Sequence, residues 1–355
     1  MPFLTDMYHE QNAAQDDHNG ETADSPDSSV AFDQRLFRER LGGRILGQPD
    51  AIDAVARAVA IAQAGITDPG RPLASVMLVG PTGVGKTELV RQVAAELRSG
   101  PDDLCRIDMA ALAQEHYAAS FSGAPPGYAG SKESFTLFDR SKIEGDPFTP
   151  GIVLLDEIEK ADPTVIRALL HVLDSGQLRL ANGRETISFR NSYIFITSNL
   201  GSKDVADDVR RRRRRWLRRK AGAREQYSRS LVVSAVEDFF DPEFFNRIDE
   251  TVVLDPFRPS TARQVTIREV NLVCRRLAAE SVHLDVNDSV LDMLRASGFD
   301  PVYGARGLRR TIRDQLVAPV AEALLVTRPA GREPVSLTAS VVDGRVVVAA
   351  VSRPA

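Results

Sequence analysis

The chain has 355 residues, 43% of them hydrophobic, which is enough for one large domain with its own core and a smaller second one. A formal net charge of -4 gives no overall signature of nucleic-acid or membrane binding, and no window reaches the ~18 apolar residues that a membrane span requires. The two cysteines, Cys105 and Cys274, lie far apart without the spacing of metal ligands, which predicts buried thiols in a reducing cytoplasm.

Residues 1–33 form an acidic segment that we expect to be a disordered tail. They contain eight Asp or Glu and no Lys or Arg, separated mainly by small polar residues. Such a segment cannot bury enough apolar surface to offset the entropy that folding would cost. We therefore place the start of the folded chain at residue 34.

Residues 34–255 carry the pattern of a large α/β domain. Continuous apolar runs typical of buried strands occur at 76–79, 152–155 and 193–197. Helical patterns separate these runs, and this alternation predicts a parallel sheet with helices on both faces. A basic insertion at 203–228 interrupts the domain. After Pro256 the pattern changes to helices followed by two short β segments, so residues 256–355 are predicted to form a smaller α+β domain.

A glycine-rich run follows the first predicted strand and opens a helix. It consists of Gly80, Pro81, Thr82, Gly83, Val84, Gly85, Lys86 and Thr87. The glycines bare backbone N–H groups at a helix N-terminus, an arrangement that binds the phosphates of ATP. In such a loop Lys86 contacts the β and γ phosphates and Thr87 ligates Mg²⁺. A glycine-rich turn without a ligand is the competing interpretation, and the strand, loop and helix context disfavours it.

Two carboxylates, Asp156 and Glu157, end the second predicted strand. Open α/β sheets bind their ligands at the carboxyl ends of the strands. We expect Asp156 to hold Mg²⁺, mostly through water, and Glu157 to polarise the water that attacks the γ-phosphate. The site is then hydrolytic rather than only nucleotide-binding. Acids that simply end a core strand are the alternative.

Four segments extend the pattern along the chain: 155–161 (LDEIEKA), 197–202 (TSNLGS), 246–249 (NRID) and 298–306 (GFDPVYGAR). Their order resembles that of Clp-family AAA+ ATPases, and most closely the second nucleotide-binding module of ClpB-type chaperones. The likeness runs from Phe37 to Val348, with a weak stretch between Ser202 and Ser228. It implies an AAA+ fold and a ring of identical subunits, six in number, that hydrolyses ATP to unfold or remodel proteins.

The resemblance gives roles to residues around the nucleotide. Asn199 is similar to the residue that orients the attacking water, although an Asn here would equally suit a turn before Gly201. Ile45 and Leu46 resemble the segment that packs around adenine, and simple core packing is their alternative.

Two arginines resemble the family's arginines that sense and stabilise the γ-phosphate. Arg247 resembles the arginine finger that reaches into the site of the next subunit, whereas pairing with Asp249 or Glu250 at the surface is the alternative. Arg306 looks like the arginine that projects from the small domain onto the γ-phosphate of its own subunit. The alternative for Arg306 is simply to start a helix.

The loop from Gly123 to Gly130 presents one aromatic ring, Tyr128, among prolines and glycines. It resembles the pore loop with which Clp-type rings grip a polypeptide, because an aromatic ring can pack against any side chain or backbone. A turn with a buried tyrosine is the alternative. The next residues, 131–133 (SKE), depart from the aromatic and acidic residues frequent in the family, so substrate preference is open.

The chain departs from typical ClpB chaperones and from protease-coupled relatives. Its 355 residues do not accommodate an N-terminal domain, a first ATPase module and a long coiled-coil insertion. The stretch 201–245 lacks a docking motif for a ClpP-type peptidase, so that partner is not expected.

A run of nine basic residues stands instead in Arg210–Lys220, with Trp216 inside it. A solvated insertion is one interpretation of this run. Contact with an acidic partner or with nucleic acid, aided by stacking on Trp216, is another, and capture of the chain's own acidic tail is a third. A nucleic-acid-dependent AAA+ ATPase and a scaffold with low turnover are therefore kept as alternative functions.

Overall fold

The computed structural model describes residues 32–114, 138–179, 186–202, 221–299, 305–327 and 334–350, with the backbone alone for 221–228. Most of the predicted acidic tail, the loop that carries Tyr128 and the run Arg210–Lys220 lie outside the described residues. Within the described part, no helix has the length and apolarity needed to cross a membrane.

The secondary structure alternates strands and helices as far as residue 253. The strands are β1 (Ala74–Val79), β2 (Cys105–Asp108), β3 (Gly151–Asp156), β4 (Gln177–Arg179), β5 (Thr186–Ser188), β6 (Ser192–Ser198), β7 (Glu250–Val253), β8 (Val282–Val286), β9 (Val335–Val342) and β10 (Arg345–Ala350). The α-helices are α1 (Gln34–Arg44), α2 (Pro49–Gln63), α3 (Lys86–Leu97), α4 (Arg140–Glu144), α5 (Pro163–Ser175), α6 (Ala221–Phe239), α7 (Pro242–Phe245), α8 (Pro259–Ala279), α9 (Asp288–Gly298), α10 (Leu308–Ile312) and α11 (Ala318–Thr327).

Five strands form one parallel sheet in the order β2-β3-β6-β1-β7. Every residue of β1, β3 and β6 is buried. These strands read as continuous apolar runs because helices cover both faces of the sheet. The predicted parallel sheet between helical layers is therefore confirmed.

Successive residues of β1 belong to two different hydrophobic cores. Val76 and Leu78 pack in the core that contains buried residues of α2 and α3. Met77 and Val79 pack in the core that contains the buried face of α5. This division follows from the two-residue period of a strand, and it fixes which helices flank the end of β1.

Helix α5 has clear signals at both ends. The Asp162 carboxylate accepts a hydrogen bond from the backbone N–H of Thr164 at 2.8 Å, and Pro163 occupies the first helical position. The helix stops at Gly176, which has φ 64°. Asp174, in its last turn, is thereby set at the amino edge of the sheet.

A third core lies in the C-terminal part of the chain. It joins buried residues of helices α8 to α10 with the sheet β10-β9-β8, in which β8 and β9 are parallel and β9 and β10 antiparallel. This smaller unit touches the larger one at the nucleotide loop, where the Ala305 N–H donates to the Gly83 carbonyl at 3.2 Å. The predicted small α+β domain after the parallel sheet is confirmed.

Candidate nucleotide site

A cavity of about 720 Å³ opens at the carboxyl edge of the parallel sheet, against the third core. Its walls come from the segment 44–46, the phosphate loop 82–88 and residues 305–309, and its polar groups include those at the ends of β3 and β6. A volume of this size suits a small-molecule ligand, and the carboxyl edge is where open α/β sheets bind one.

The phosphate loop needs its glycines. Gly80 has φ 148°, and a Cβ added there would lie 2.4 Å from the Leu254 carbonyl oxygen. Gly85 has φ 105° and directly precedes Lys86, the first residue of α3. Side chains rarely adopt these conformations, so glycine leaves the backbone N–H groups and the helix N-terminus open to an anion.

Lys86 is held inside this loop. Its Nζ donates to the carbonyl oxygens of Gly80 at 2.6 Å and Pro81 at 2.9 Å, and to Asn199 Oδ1 at 2.9 Å. Only 7% of the residue is exposed. Burial lowers the pKa of the ammonium to about 8, although nearby carboxylates oppose the shift. An anionic phosphate placed here would favour the charged form.

Asp156 lies at the end of β3, among groups that fit a magnesium site. Thr197 Oγ1 donates to its Oδ1 at 2.5 Å, and Thr87 Oγ1 lies 3.5 Å from the same oxygen. Arg106, on β2, holds Oδ2 through Nη2 at 2.6 Å. Hydroxyl and carboxylate oxygens are hard ligands of the kind that Mg²⁺ accepts together with water and substrate phosphates. Thr87 and Asp156 therefore fit the metal that the sequence predicted.

Glu157 has an unusual backbone for its residue type, with φ 60° and ψ 54°. Its N–H donates to Thr197 Oγ1 at 3.0 Å, and its carboxylate accepts from Asn199 Nδ2 at 3.3 Å and pairs with Lys160. The hydrogen bond from Lys160 holds the pKa of the Glu157 carboxyl below its ordinary value. Glu157 is therefore ionised at neutral pH, as a group that accepts a proton from water must be.

Asn199 joins the phosphate loop to the carboxylates. Its Oδ1 accepts from Lys86 Nζ and from Thr82 Oγ1, the latter at 3.2 Å. Its Nδ2 faces Glu157 and also donates to Glu159 Oε1 at 3.1 Å. Glu159 Oε1 accepts from the Asn199 backbone N–H as well, again at 3.1 Å. The amide is thus fixed in one orientation, beyond what a turn residue would need.

Apolar side chains also line the cavity. Ile45 and Leu46 lie there with Val265, Leu272 and Leu308. Such side chains suit a flat aromatic base, as the sequence predicted for the first two.

Arg306 approaches the site from the small domain. Its Nη2 lies 4.0 Å from Glu157 Oε1, and its side chain is 69% exposed. The guanidinium therefore reaches the cavity while remaining free to meet a ligand.

Arg247 lies elsewhere. Its carbonyl oxygen accepts from Ser75 Oγ at 3.1 Å and from Arg71 Nη2 at 2.8 Å, which places it beside the first residues of β1. The phosphate loop follows the other end of β1, about 20 Å away at ~3.3 Å per residue. Arg247 accordingly does not line the cavity.

The side chain of Arg247 contacts Asp174 rather than the predicted alternatives Asp249 and Glu250. Its Nε lies 2.7 Å from Asp174 Oδ1, but the N–H does not make a hydrogen bond there. Both side chains are partly exposed, and such surface pairs contribute about 0–1 kcal/mol. Little free energy therefore opposes release of the guanidinium to another partner.

Sequence reasoning missed three contacts in the site: those of Thr197, Glu159 and Arg106. Thr197 and Glu159 stand two residues from Asn199 and Glu157 within segments that carried the resemblance, so their closeness in sequence to predicted site residues was a usable signal. No such signal marked Arg106, which lies on a four-residue edge strand.

Comparisons with known proteins agree with this geometry. The family described as "AAA domain (Cdc48 subfamily)" matches residues 71–251, and the one described as "C-terminal, D2-small domain, of ClpB protein" matches residues 259–334. The chain belongs to the Clp-type AAA ATPases. The predicted resemblance to a ClpB module is thereby confirmed.

Two relatives match this Clp-type chain over nearly its whole length. A Rhodococcus erythropolis protein named "ATP-dependent protease ATP-binding subunit-like protein" is 61% identical over 348 residues, covering 98% of this chain and 99% of that one. A Pseudomonas aeruginosa protein of the same description, AmiB, is 40% identical over 344 residues, covering 92% and 93%.

Other relatives are longer. The chaperone ClpB of Vibrio cholerae is 38% identical over 315 residues, which are 88% of this chain and 35% of ClpB. The cryo-EM structure titled "Closed State CryoEM Reconstruction of Hsp104:ATPyS and FITC casein" superposes with a TM-score of 0.72 at 26% identity, over 89% of this chain and 51% of that one. The chain thus spans about a third of ClpB and half of the Hsp104 chain.

Proposed function

We propose that this chain is an ATP-driven protein unfoldase or remodelling factor that works as a ring of identical subunits, six by its resemblance to the family. The observation that carries the proposal is the placement of Arg247 at the edge of the sheet opposite the cavity, beside the start of β1. The other residues expected for hydrolysis meet around the cavity. A second copy is what would bring an Arg247 to that cavity.

Within one subunit, the residues divide the work of hydrolysis. The phosphate loop and Lys86 bind and orient the phosphates, while Arg306 contacts the terminal phosphate from the small domain. Glu157 accepts the proton of the attacking water, and the Asn199 amide holds that water in line. Thr87 and Asp156 are the residues that would hold Mg²⁺, which would supply positive charge to offset that of the phosphates.

Between subunits, Arg247 offsets the charge that develops on the transferred phosphoryl group. Arginine fingers of this kind contribute on the order of 10³ or more in rate. Hydrolysis then depends on assembly, because one subunit supplies the nucleotide and the next supplies the guanidinium.

The step that uses this energy is threading of a polypeptide past Tyr128. Support comes from the resemblance of the loop Gly123–Gly130 to the family's pore loop, and from the Hsp104 structure, whose title names casein. Tyr128 lies outside the described residues, so this part of the proposal stands on sequence.

Other partners remain predictions. The names of the two full-length relatives mention an ATP-dependent protease, whereas the sequence here predicts no docking to a ClpP-type peptidase. Contact of Arg210–Lys220 with nucleic acid or an acidic partner stays an alternative. The thiols Cys105 and Cys274 suit a reducing compartment, and we place the protein in the cytoplasm.

The deciding experiment measures ATPase turnover of the full chain with casein, with single-stranded DNA and with buffer alone, and unfolding of a model protein in parallel. We expect casein to stimulate turnover and Tyr128→Ala to hydrolyse ATP without unfolding, while Tyr128→Phe keeps both. Glu157→Gln should bind ATP and hold substrate without turnover.

Two results would contradict the proposal. If the Tyr128→Ala variant still unfolds the model protein, threading past Tyr128 is not the step that uses ATP. Stimulation by DNA that falls steeply with salt, and that is lost when residues 210–220 are deleted, favours the nucleic-acid-dependent ATPase instead.

A further inference from the structure

We propose that Phe148 is the apolar anchor of the contact between neighbouring copies of this chain, set on the same edge of the sheet as Arg247. The inference rests on the proposed function, since it takes the ring contact as given and assigns a residue that holds it together. The partner is a second copy, seated by the edge that carries its nucleotide cavity.

Phe148 is the most exposed large hydrophobic residue in the described part of the chain, at 95%. A single exposed apolar side chain is common on protein surfaces and carries no meaning alone. What distinguishes this one is how firmly its backbone is held and which edge of the sheet it occupies.

Hydrogen bonds hold the backbone of the loop 145–150, which carries Phe148, both at its turn and at its end. Asp146 Oδ1 accepts from the backbone N–H groups of Phe148 and Thr149, both at 2.8 Å. Asn191 Nδ2 donates to the Asp146 carbonyl at 2.9 Å, and Arg98 Nη1 donates to the Pro150 carbonyl at 2.7 Å. The ring is therefore displayed on a backbone that is already ordered.

Glycines and prolines in and beside this loop also limit the conformations of its backbone. Gly145 has φ 64°, and a Cβ at Gly151 would lie 1.9 Å from the Ile143 carbonyl oxygen, so the chain passes in close contact with α4. Pro147 and Pro150 limit the backbone further. An aromatic side chain on a pre-ordered loop loses little entropy on binding, which is the property of residues that dominate interface energies.

Phe148 and Arg247 share the amino edge of the sheet. The Phe148 loop leads directly into β3, and Arg247 is hydrogen-bonded to Ser75 at the start of β1. Only β6 lies between β3 and β1, so the ends of these two strands are about 10 Å apart at ~4.8 Å per strand spacing. All three strands are parallel, and their carboxyl ends form the opposite edge.

Because Phe148 shares its edge of the sheet with Arg247, the molecule that covers Phe148 is a second copy of this chain. For Arg247 to reach a cavity in another copy, the amino edge of one sheet has to face the carboxyl edge of the next. Phe148 is then carried to the same partner and covered by it. Burying a phenylalanine there stabilises the contact, while Arg247 supplies the charged group.

The test compares assembly of the full-length wild-type chain with Phe148→Glu, Phe148→Ala and Phe148→Tyr, by sedimentation velocity over a range of concentrations with a slowly hydrolysed ATP analogue. We expect Phe148→Glu to raise the concentration needed for assembly by about tenfold or more. Phe148→Ala should have a smaller effect in the same direction, and Phe148→Tyr should assemble like the wild type.

Controls show whether a Phe148 substitution weakens assembly itself, destabilises the fold or acts only through the added charge. Because the Phe148 side chain touches solvent almost entirely, its variants should keep the wild-type thermal unfolding temperature. Phe148→Gln removes the apolar ring without adding a charge, and it should also raise the concentration needed for assembly.

The outcomes distinguish this inference from the proposed function. A wild-type chain that stays monomeric at every concentration overturns both. A wild-type chain that forms rings while Phe148→Glu forms them equally well overturns the role of Phe148 alone. Normal rings that lose casein-stimulated turnover in Phe148→Glu would assign Phe148 to the substrate, and would overturn it too.

Discussion

The two edges of the parallel sheet differ in how completely their side chains are partnered. At the carboxyl edge, Lys86, Asp156 and Asn199 are buried or half-buried and joined by hydrogen bonds into one network. At the amino edge, the Arg247 side chain forms a partly exposed ion pair with Asp174, and Phe148 is 95% exposed. The side chains of the carboxyl edge are already held in place before a ligand binds, whereas those of the amino edge are available for contact with another molecule.

This difference has a physical reason. Groups that orient phosphates and water work best when fixed in advance, because no reorganisation is then needed during the reaction. A group that acts on another subunit has to be released by its own. The partly exposed pair between Arg247 and Asp174 is weak enough to exchange, as the proposed role of Arg247 requires.

The largest expected effect comes from removing the charge at the amino edge. Arg247→Ala should lower ATP turnover by about 10³ while leaving nucleotide affinity close to wild type, because Arg247 contributes nothing to its own cavity. Turnover at saturating ATP and affinity for a fluorescent ATP analogue would be measured separately.

Mixing two inactive variants tests whether the arginine acts in trans. Arg247→Ala subunits keep Glu157, and Glu157→Gln subunits keep Arg247, so mixed rings should regain activity at junctions that unite the two intact residues. Each variant assayed alone is the control. If mixing restores nothing, Arg247 does not serve a neighbouring site.

A smaller effect is expected from Thr197 at the carboxyl edge. Its hydroxyl donates to Asp156 Oδ1 and accepts from the Glu157 N–H, so one buried group holds the Asp156 carboxylate and the Glu157 backbone. Thr197→Val keeps the shape and removes these bonds, and loss of such supporting groups typically costs about 10–100-fold in activity. We expect turnover to fall more than the KM for ATP rises.

Thr197→Ser is the matched variant, because it restores the hydroxyl without the methyl group. It should recover most of the turnover and the wild-type dependence on Mg²⁺ concentration. Equal losses in Thr197→Ser and Thr197→Val would mean that packing of the methyl group, rather than the hydroxyl, supports the site.

The architecture was predictable because its signals are local. The continuous apolar runs of β1, β3 and β6 identify strands buried on both faces, and the carboxyl end of a parallel strand is a fixed place in the fold. Gly80–Thr87 directly follows the end of β1, and Asp156 is the last residue of β3. Their meeting in one cavity therefore follows from the order of elements.

Contacts between distant elements were not predictable in the same way. Arg247 pairs with Asp174 because the end of α5 packs beside the residues before β7, and sequence distance favoured its neighbours Asp249 and Glu250. Arg106 reaches Asp156 from β2, a strand too short to recognise by periodicity. Such pairs depend on tertiary packing, which no single window of sequence contains.

The smallest expected effect is the pH dependence of ATP binding, which reports how far the carboxyl edge is organised before the ligand arrives. Burial lowers the pKa of Lys86 to about 8, and bound phosphates favour the ammonium. Above pH 8 the nucleotide-free protein loses this proton and has to regain it on binding. Affinity should therefore be level between pH 7 and 8 and should weaken above pH 8, approaching about tenfold per pH unit, as measured with a fluorescent ATP analogue.

Lys86→Arg provides the control, because a guanidinium keeps its charge throughout this range. Its affinity is expected to be weaker overall, since the larger head does not fit the buried position of the ammonium, but it should stay level above pH 8. A wild-type affinity that also stays level to pH 9.5 would show that Lys86 remains charged without phosphate. The carboxylates of Glu159, Asp156 and Glu157 would then outweigh the effect of burial, and the carboxyl edge would hold its full charge before the nucleotide binds.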